Sequence, residues 1–450
     1  MNELNAPLHP SLNRSLYPTE PISSKGSLSV HDILVVTIIL ISSRALGAVI
    51  FTDDDARASN QYELILWATI YVACFLALIN YPPNLKLDVT SVATLLIVAL
   101  ALASTLWSES PESSLKRAGA LAGSWIVGLY LARTVTPRSM FGYLQVVSII
   151  AIFASVILVA LLPNLSIGQE NSYTEISYGW NGSFPQKNWL GRSSALFMSI
   201  WTISLVSNQR RAFGKLCLVV TSFVLILKSE SATALILGLA LLATIGFVLA
   251  LRADKSIALI ATLITTCILI VMVAAFLRQP ATFYGILGRS PTLTGRSTLW
   301  AAVDVAIQQR VWLGYGYGGF WLGEGGPQEQ VWSSLWGYRP LAAHNGYKEI
   351  RLDLGVIGLA LTGFVLVVGT LRSFLFSRKI GNASSLLVPV FFIFALVSNL
   401  TESYLIFHNS FTWILLIYFT VYLGSIKGHD SLALNDDRQP YFSIKKGRTR

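Results

Sequence analysis

The stretch AHNGYKEIRLDLGVIGL, residues 343–359, sets His344, Lys348, Glu349, Arg351 and Asp353 close together just before an apolar run. As a helix from 344 to 355, it would put His344, Lys348, Arg351 and Gly355 on one face, with Glu349 and Asp353 on another. A neutral imidazole beside two fixed cations suits one kind of work. It can take a proton from a sugar hydroxyl while the cations hold a diphosphate. The ordinary pKa of histidine allows this near neutrality, and neighbouring cations disfavour protonation of the ring. Of the other histidines, His9, His31 and His429 fall on the opposite side of the membrane, and His408 fits packing at a span end.

Further cations lie where a bilayer penalises them. Arg192 follows Lys187 and Asn188 in FPQKNWLGRSS, and Arg44 interrupts an apolar run in LISSRALG. A charge inside a span costs about 2.5–3.5 kcal/mol on insertion scales, so it normally has a partner or a task. For Arg44 a pairing with an acid, for example in TDDD, is one expectation. With Arg289, Arg296, Lys348 and Arg351, these residues gather positive charge at one membrane face, which fits an anionic, membrane-bound ligand such as a lipid diphosphate. Guanidinium groups grip phosphate oxygens as a fork and can stabilise charge developing on a leaving diphosphate. No D-x-D, H-E-x-x-H or carboxylate cluster suggests a divalent metal site, so arginines are expected in that role, with no metal or cofactor.

Two segments upstream would support the site. From Arg296, Leu299, Val303, Ile307 and Val311 follow helical spacing, which predicts an amphipathic helix lying on the membrane surface or packed on the spans. In GYGYGGF, Gly314, Gly316 and Gly319 match G-x-G-x-x-G. A dinucleotide site needs a strand before that motif and a helix after it, and neither is expected here. Tyr315, Tyr317, Phe320 and Trp321 could instead offer flat faces to sugar rings, or form an aromatic interface belt.

The elements that must position these residues are membrane spans. The 450-residue chain is 53% hydrophobic and only 12% charged, and span-length apolar runs recur along it. The expected fold is all-α: a polytopic integral membrane protein with about twelve transmembrane helices. They are predicted near 32–51, 62–80, 89–107, 118–134, 140–163, 189–206, 214–228, 232–251, 257–277, 355–375, 384–400 and 407–424. With both termini inside, cytoplasmic segments and adjoining span ends carry 19 of the 33 lysines and arginines, against 11 outside. That bias sets the orientation. Residues 1–31 form a cytoplasmic N-terminal tail, 32–424 the membrane domain, and 425–450 a basic cytoplasmic tail attracted to anionic lipid rather than to nucleic acid. One long outer loop, 278–354, carries the chemistry and short amphipathic helices. The three cysteines lie in apolar runs and suggest neither a disulfide framework nor a metal site.

His344–Asn345, nine residues, Gly355, two residues, Gly358 resembles the H-[NSQ]-x9-G-x-x-G motif of bacterial O-antigen ligases and related polymerases. LTGRSTLW, LGYGYGGFW, LWSESPESSLKRA, FPQKNWLG and NLTES are similar to segments of the exopolysaccharide-polymerase branch, and together they span about 106–424. The resemblance implies a metal-independent membrane glycosyltransferase of the GT-C-like type, acting on undecaprenyl diphosphate-linked glycans at the outer face of a bacterial cytoplasmic membrane. By match to the motif, His344 would be the base that activates the acceptor hydroxyl, and Arg296 would bind the diphosphate. The ligases write the arginine motif R-x3-L, whereas Leu299 follows Arg296 after two residues, which favours a polymerase over a ligase acting on lipid A-core or protein. The expected partners are the lipid-linked donor, a glycan acceptor, the bilayer, and other polysaccharide assembly and export proteins. A lipid-linked glycan transporter is the rival class, but transporters concentrate polar residues near the midplane and often show repeated halves.

Overall fold

A computed structural model describes residues 29–50, 61–80, 87–168, 170–171, 176–177, 179–253, 256, 260, 296–322, 325–335 and 339–426. The predicted span 257–277, the acids of TDDD, and Arg289 lie outside the described residues. The fold is helical, and the named strands are the two-residue antiparallel pair Glu170–Asn171 and Ile176–Ser177.

Among the described residues, five helices are long and apolar enough to cross a membrane: Gln61–Asn80, Val89–Leu106, Pro137–Leu161, Ala232–Arg252 and Gly346–Ile380. Only 28–44% of their apolar windows is buried within the protein. Leu239, Val367, Leu371 and Leu375 point outward and are largely exposed. Rows of exposed leucine and valine on long helices call for an apolar solvent, so the chain is an all-α polytopic membrane protein. Lys187–Ser207, Ala383–Ser398 and Phe411–Ser425 are buried over most of their length and form the centre. Helices close in where side chains are small. Gly128 meets Ile417, Gly369 meets the Phe392 ring, and Gly191 meets Ser229 and Ala234.

The remaining predicted spans fall on helices, with one correction. Span one does not run to residue 51: its helix, Val30–Ser42, stops before Arg44, which adopts left-handed backbone (φ 55°). The Arg44 guanidinium pairs with Glu63 at 2.7 Å, so its acid comes from the next helix.

Several polar contacts join distant segments near the two ends of the long helices. One end holds Arg44 with Glu63, the Trp107 indole on Leu313 O, and Arg296 with Glu402. The other holds Arg372 with Asp88, and Arg252 with the end of the Gly346–Ile380 helix. There Arg252 donates to the carbonyls of Ser377, Gly381 and Asn382 and to the Ser377 and Ser385 hydroxyls. Hydrogen bonds from a charged donor contribute about 1.5–3 kcal/mol each, and carbonyls at a helix end need partners. Arg252→Ala is therefore expected to destabilise the protein by about 2 kcal/mol or more. A melting temperature in detergent equal to that of the parent would count against this.

Candidate functional site

The helix predicted from Arg296 is Arg296–Gln309. Leu299, Val303 and Ile307 are buried, as their spacing requires, whereas Val311 lies beyond the helix end. The apolar face does not cover a membrane surface. It packs on Tyr315, Phe320, Trp321, Val331, Ala343 and Leu352, the loop's own small core.

The glycine-rich run docks on a break in the Gly346–Ile380 helix. Gly355 there has φ 64° and ψ −160°, a conformation open essentially to glycine alone. The break frees backbone groups, and the loop satisfies them: Val356 N–H donates to Val311 O at 2.8 Å, and Tyr315 N–H donates to Leu352 O at 2.7 Å. Gly314 rests on the Leu352–Asp353 backbone, while Gly316 and Gly319 close on Ser108. Glycine alternation is thus a close-approach device rather than a phosphate cradle. Tyr315 and Tyr317, expected to offer faces to sugars, both pack inward, and Tyr317 is among the residues lining a second cavity. Both rings are buried at 3% exposure. The Tyr315 hydroxyl donates to Ala306 O at 3.0 Å, and the Tyr317 hydroxyl donates to Ile406 O at 2.9 Å. Neither ring is an interface belt.

The predicted helical face from 344 to 355 also needs correction. The helix begins at Gly346, with Asn345 as its cap, and breaks at Gly355. The Asn345 side chain accepts from Tyr347 N–H and Lys348 N–H, each at 3.1 Å, so its amide holds the helix start rather than substrate. His344 precedes the cap in left-handed backbone, φ 48°. Lys348 is ion-paired with Asp304 of the Arg296 helix, so its charge is already matched. The Arg351 Nε is buried and has no hydrogen-bond partner among the described residues.

One segment gathers the rest. Residues 399–404, just after the helix Ala383–Ser398, meet three of the predicted positions. Arg296 donates to Thr401 O at 3.1 Å and lies 3.5 Å from Glu402. Asn345 N–H donates to Ser403 Oγ at 3.1 Å, its amide to Leu400 O at 3.0 Å, and Gly346 N–H to Asn399 O at 2.8 Å. The Arg192 guanidinium stacks on the Tyr404 ring at 3.9 Å and the Trp189 ring at 4.6 Å, and its buried Nη1 has no hydrogen-bond partner among the described residues. Arg44, Trp189, Arg192, Ser193, Tyr404 and His408 are among the residues lining a cavity beside this segment. His344 does not line that cavity; it joins the cluster through Asn345 on Ser403. Lys187 lies one turn before Arg192, buried with its stem against Gly179, and Asn188 is half-buried beside it.

Glu402 and Tyr404 were not picked out as site residues by charge or spacing. The carboxylate is 6% exposed and Arg296 is near it, which marks Glu402 as a counter-charge inside the cluster. The one sequence signal was its place in NLTES.

Residues 216–363 match the model of a family described as O-antigen ligase. The match takes in Arg296, the glycine-rich run, His344 and both motif glycines, and it bears out the resemblance to the O-antigen ligase and polymerase superfamily. No curated protein matches the chain. The membrane fold and the family match together support a membrane protein of the glycan-handling polymerase or ligase class.

Proposed function

We propose that the chain is a polymerase that joins undecaprenyl diphosphate-linked repeat units into an exopolysaccharide or O-antigen. The reaction runs on the outer face of the bacterial cytoplasmic membrane, with both termini inside. The observation that carries this reading is the convergence of Arg296, Arg192 and the His344–Asn345 turn on residues 399–404. The donor's diphosphate lies against the two arginines, with Arg351 and Lys187 adding positive potential, and its prenyl chain runs down the apolar side of the cavity. Arg289 is proposed to join them on charge and position alone.

His344 takes the acceptor hydroxyl proton as that oxygen attacks the anomeric carbon from the face opposite the diphosphate. The new glycosidic bond forms while the bond to the diphosphate oxygen breaks. The anomeric carbon inverts, and undecaprenyl diphosphate leaves with its charge held by guanidinium groups. No metal step is required by this scheme.

The family description favours a second reading, in which the same donor is transferred to lipid A-core or protein. The acceptor separates the two. Purified protein, a lipid-linked repeat unit and a chelator are expected to give a ladder of products with no other acceptor added. A single transfer that needs lipid A-core supports the ligase, and no transfer to either acceptor overturns both readings.

A further inference from the structure

His344 sits in a left-handed backbone conformation (φ 48°) that a residue with a Cβ keeps only where its surroundings over-determine it. Here they do so from both sides. On the C-terminal side, Asn345 and Gly346 are tied to Ser403, Leu400 and Asn399. On the N-terminal side, Ala343 is fully buried, and both of its backbone groups are held by side chains. Its N–H donates to Glu349 Oε2 at 2.7 Å, and its carbonyl accepts from the Trp300 indole Nε1 at 2.9 Å.

Neither clamp is an accident of local chain geometry. Glu349 lies one turn into the following helix and is buried at 7% exposure. Trp300 comes from the separate Arg296 helix, one turn after Arg296 itself. A carboxylate buried to this degree is costly unless hydrogen-bonded, and this one spends an oxygen on the N–H of the residue before His344. Burial of Ala343 between the two side chains leaves its backbone little room to turn.

We infer that Glu349 and Trp300 are positioning residues for His344: they hold the two peptide groups that flank Ala343, one through its N–H and one through its carbonyl, and so set the direction of the imidazole. The inference rests on the proposed role of His344 as the base. It also links the two ends of the reaction. The helix that carries Arg296 carries Trp300 one turn later, so the diphosphate arginine and the direction of the base are fixed by one rigid element. Glu349 acts through its oxygen as an acceptor, so an uncharged amide oxygen can replace it.

The test uses the full-length protein in detergent with Glu349→Ala, Glu349→Gln and Trp300→Phe. Two readouts are taken: turnover of the lipid-linked repeat unit, and amide hydrogen exchange of peptides covering 341–347. Glu349→Ala is expected to lower kcat about 100-fold, the effect of a displacement of about 1 Å at a reacting group, with the donor KM unchanged. Glu349→Gln should restore most of that rate. Trp300→Phe should lower kcat as well, and combining it with Glu349→Ala should lower kcat by less than the product of the singles, because both side chains hold the backbone of one residue.

Exchange at 341–347 should rise in Glu349→Ala and Trp300→Phe and stay low in Glu349→Gln. Unchanged exchange in Glu349→Ala overturns the clamp. So does a Gln variant as inactive as the Ala variant, since the charge would then matter rather than the hydrogen bond. Raised exchange with undiminished turnover upholds the clamp and overturns the base assignment of His344.

Discussion

Asparagine at position 344 is expected to lower glycan transfer by about 10²–10⁴-fold, the contribution of a positioned general base. Asparagine is the informative replacement because it tolerates left-handed backbone, which His344 occupies at φ 48°, whereas alanine would add strain of its own. The backbone bonds on either side, from Ala343 to Glu349 and Trp300 and from Asn345 to Ser403, do not use the imidazole. The variant should therefore melt with the parent and bind donor with an unaltered KM, losing only kcat. The contrast is Arg296, whose guanidinium reaches Thr401 O and Glu402. Arg296→Ala should raise the donor KM and lower kcat together. Lysine there should restore little, because an ammonium cannot make the planar fork. Rates measured on a lipid-linked repeat unit decide it: wild-type turnover by His344→Asn would remove the histidine from the reaction.

Much of the fold could be read from apolar run length, because a bilayer demands length and hydrophobicity and little else. What run length cannot see is a break in the helix within an apolar stretch. Residues 32–51 read as one span, but the left-handed Arg44 reaches back to Glu63 and ends the helix early. The site divides in the same way. The types of residue at 296 and 344 carried their own signal through charge and motif. Their geometry did not, because helical spacing over 344–355 is equally well satisfied by a helix that starts at an asparagine cap and breaks at a glycine. The Asn345–Gly346 pair just before the periodic stretch was a readable start signal. The burial of Tyr315 and Tyr317 was harder to see: alternating glycine fits a loop exposing aromatic rings as well as one pressed against another backbone. The meeting of Arg192, Arg296 and Asn345 at 399–404 has no local period at all. It joins segments more than a hundred residues apart in part, and only the packed fold brings them together.

Gly355→Ala is expected to cost about 3 kcal/mol or more, from a backbone region almost closed to other residues together with a steric overlap. At φ 64° and ψ −160° an alanine is strained before any neighbour is counted. Its Cβ would also overlap the Trp312 carbonyl, which is backbone and cannot rotate away. Relief would require the Trp312–Leu313 segment of the loop to lift. That would break the bonds from Val356 to Val311 and from Tyr315 to Leu352, and leave buried peptide groups without partners. Because the same loop packs on the Arg296 helix, the loss should reach the site: folded yield and transfer should fall together. Gly363→Ala supplies the control on the same helix. No atom lies within 4 Å of its added Cβ, and alanine is favoured over glycine in a helix by about 0.8–1.0 kcal/mol. It should melt at or slightly above the parent. If Gly355→Ala melts with Gly363→Ala in detergent, the break at 355 is not what joins the loop to the helix, and the motif glycine needs another explanation.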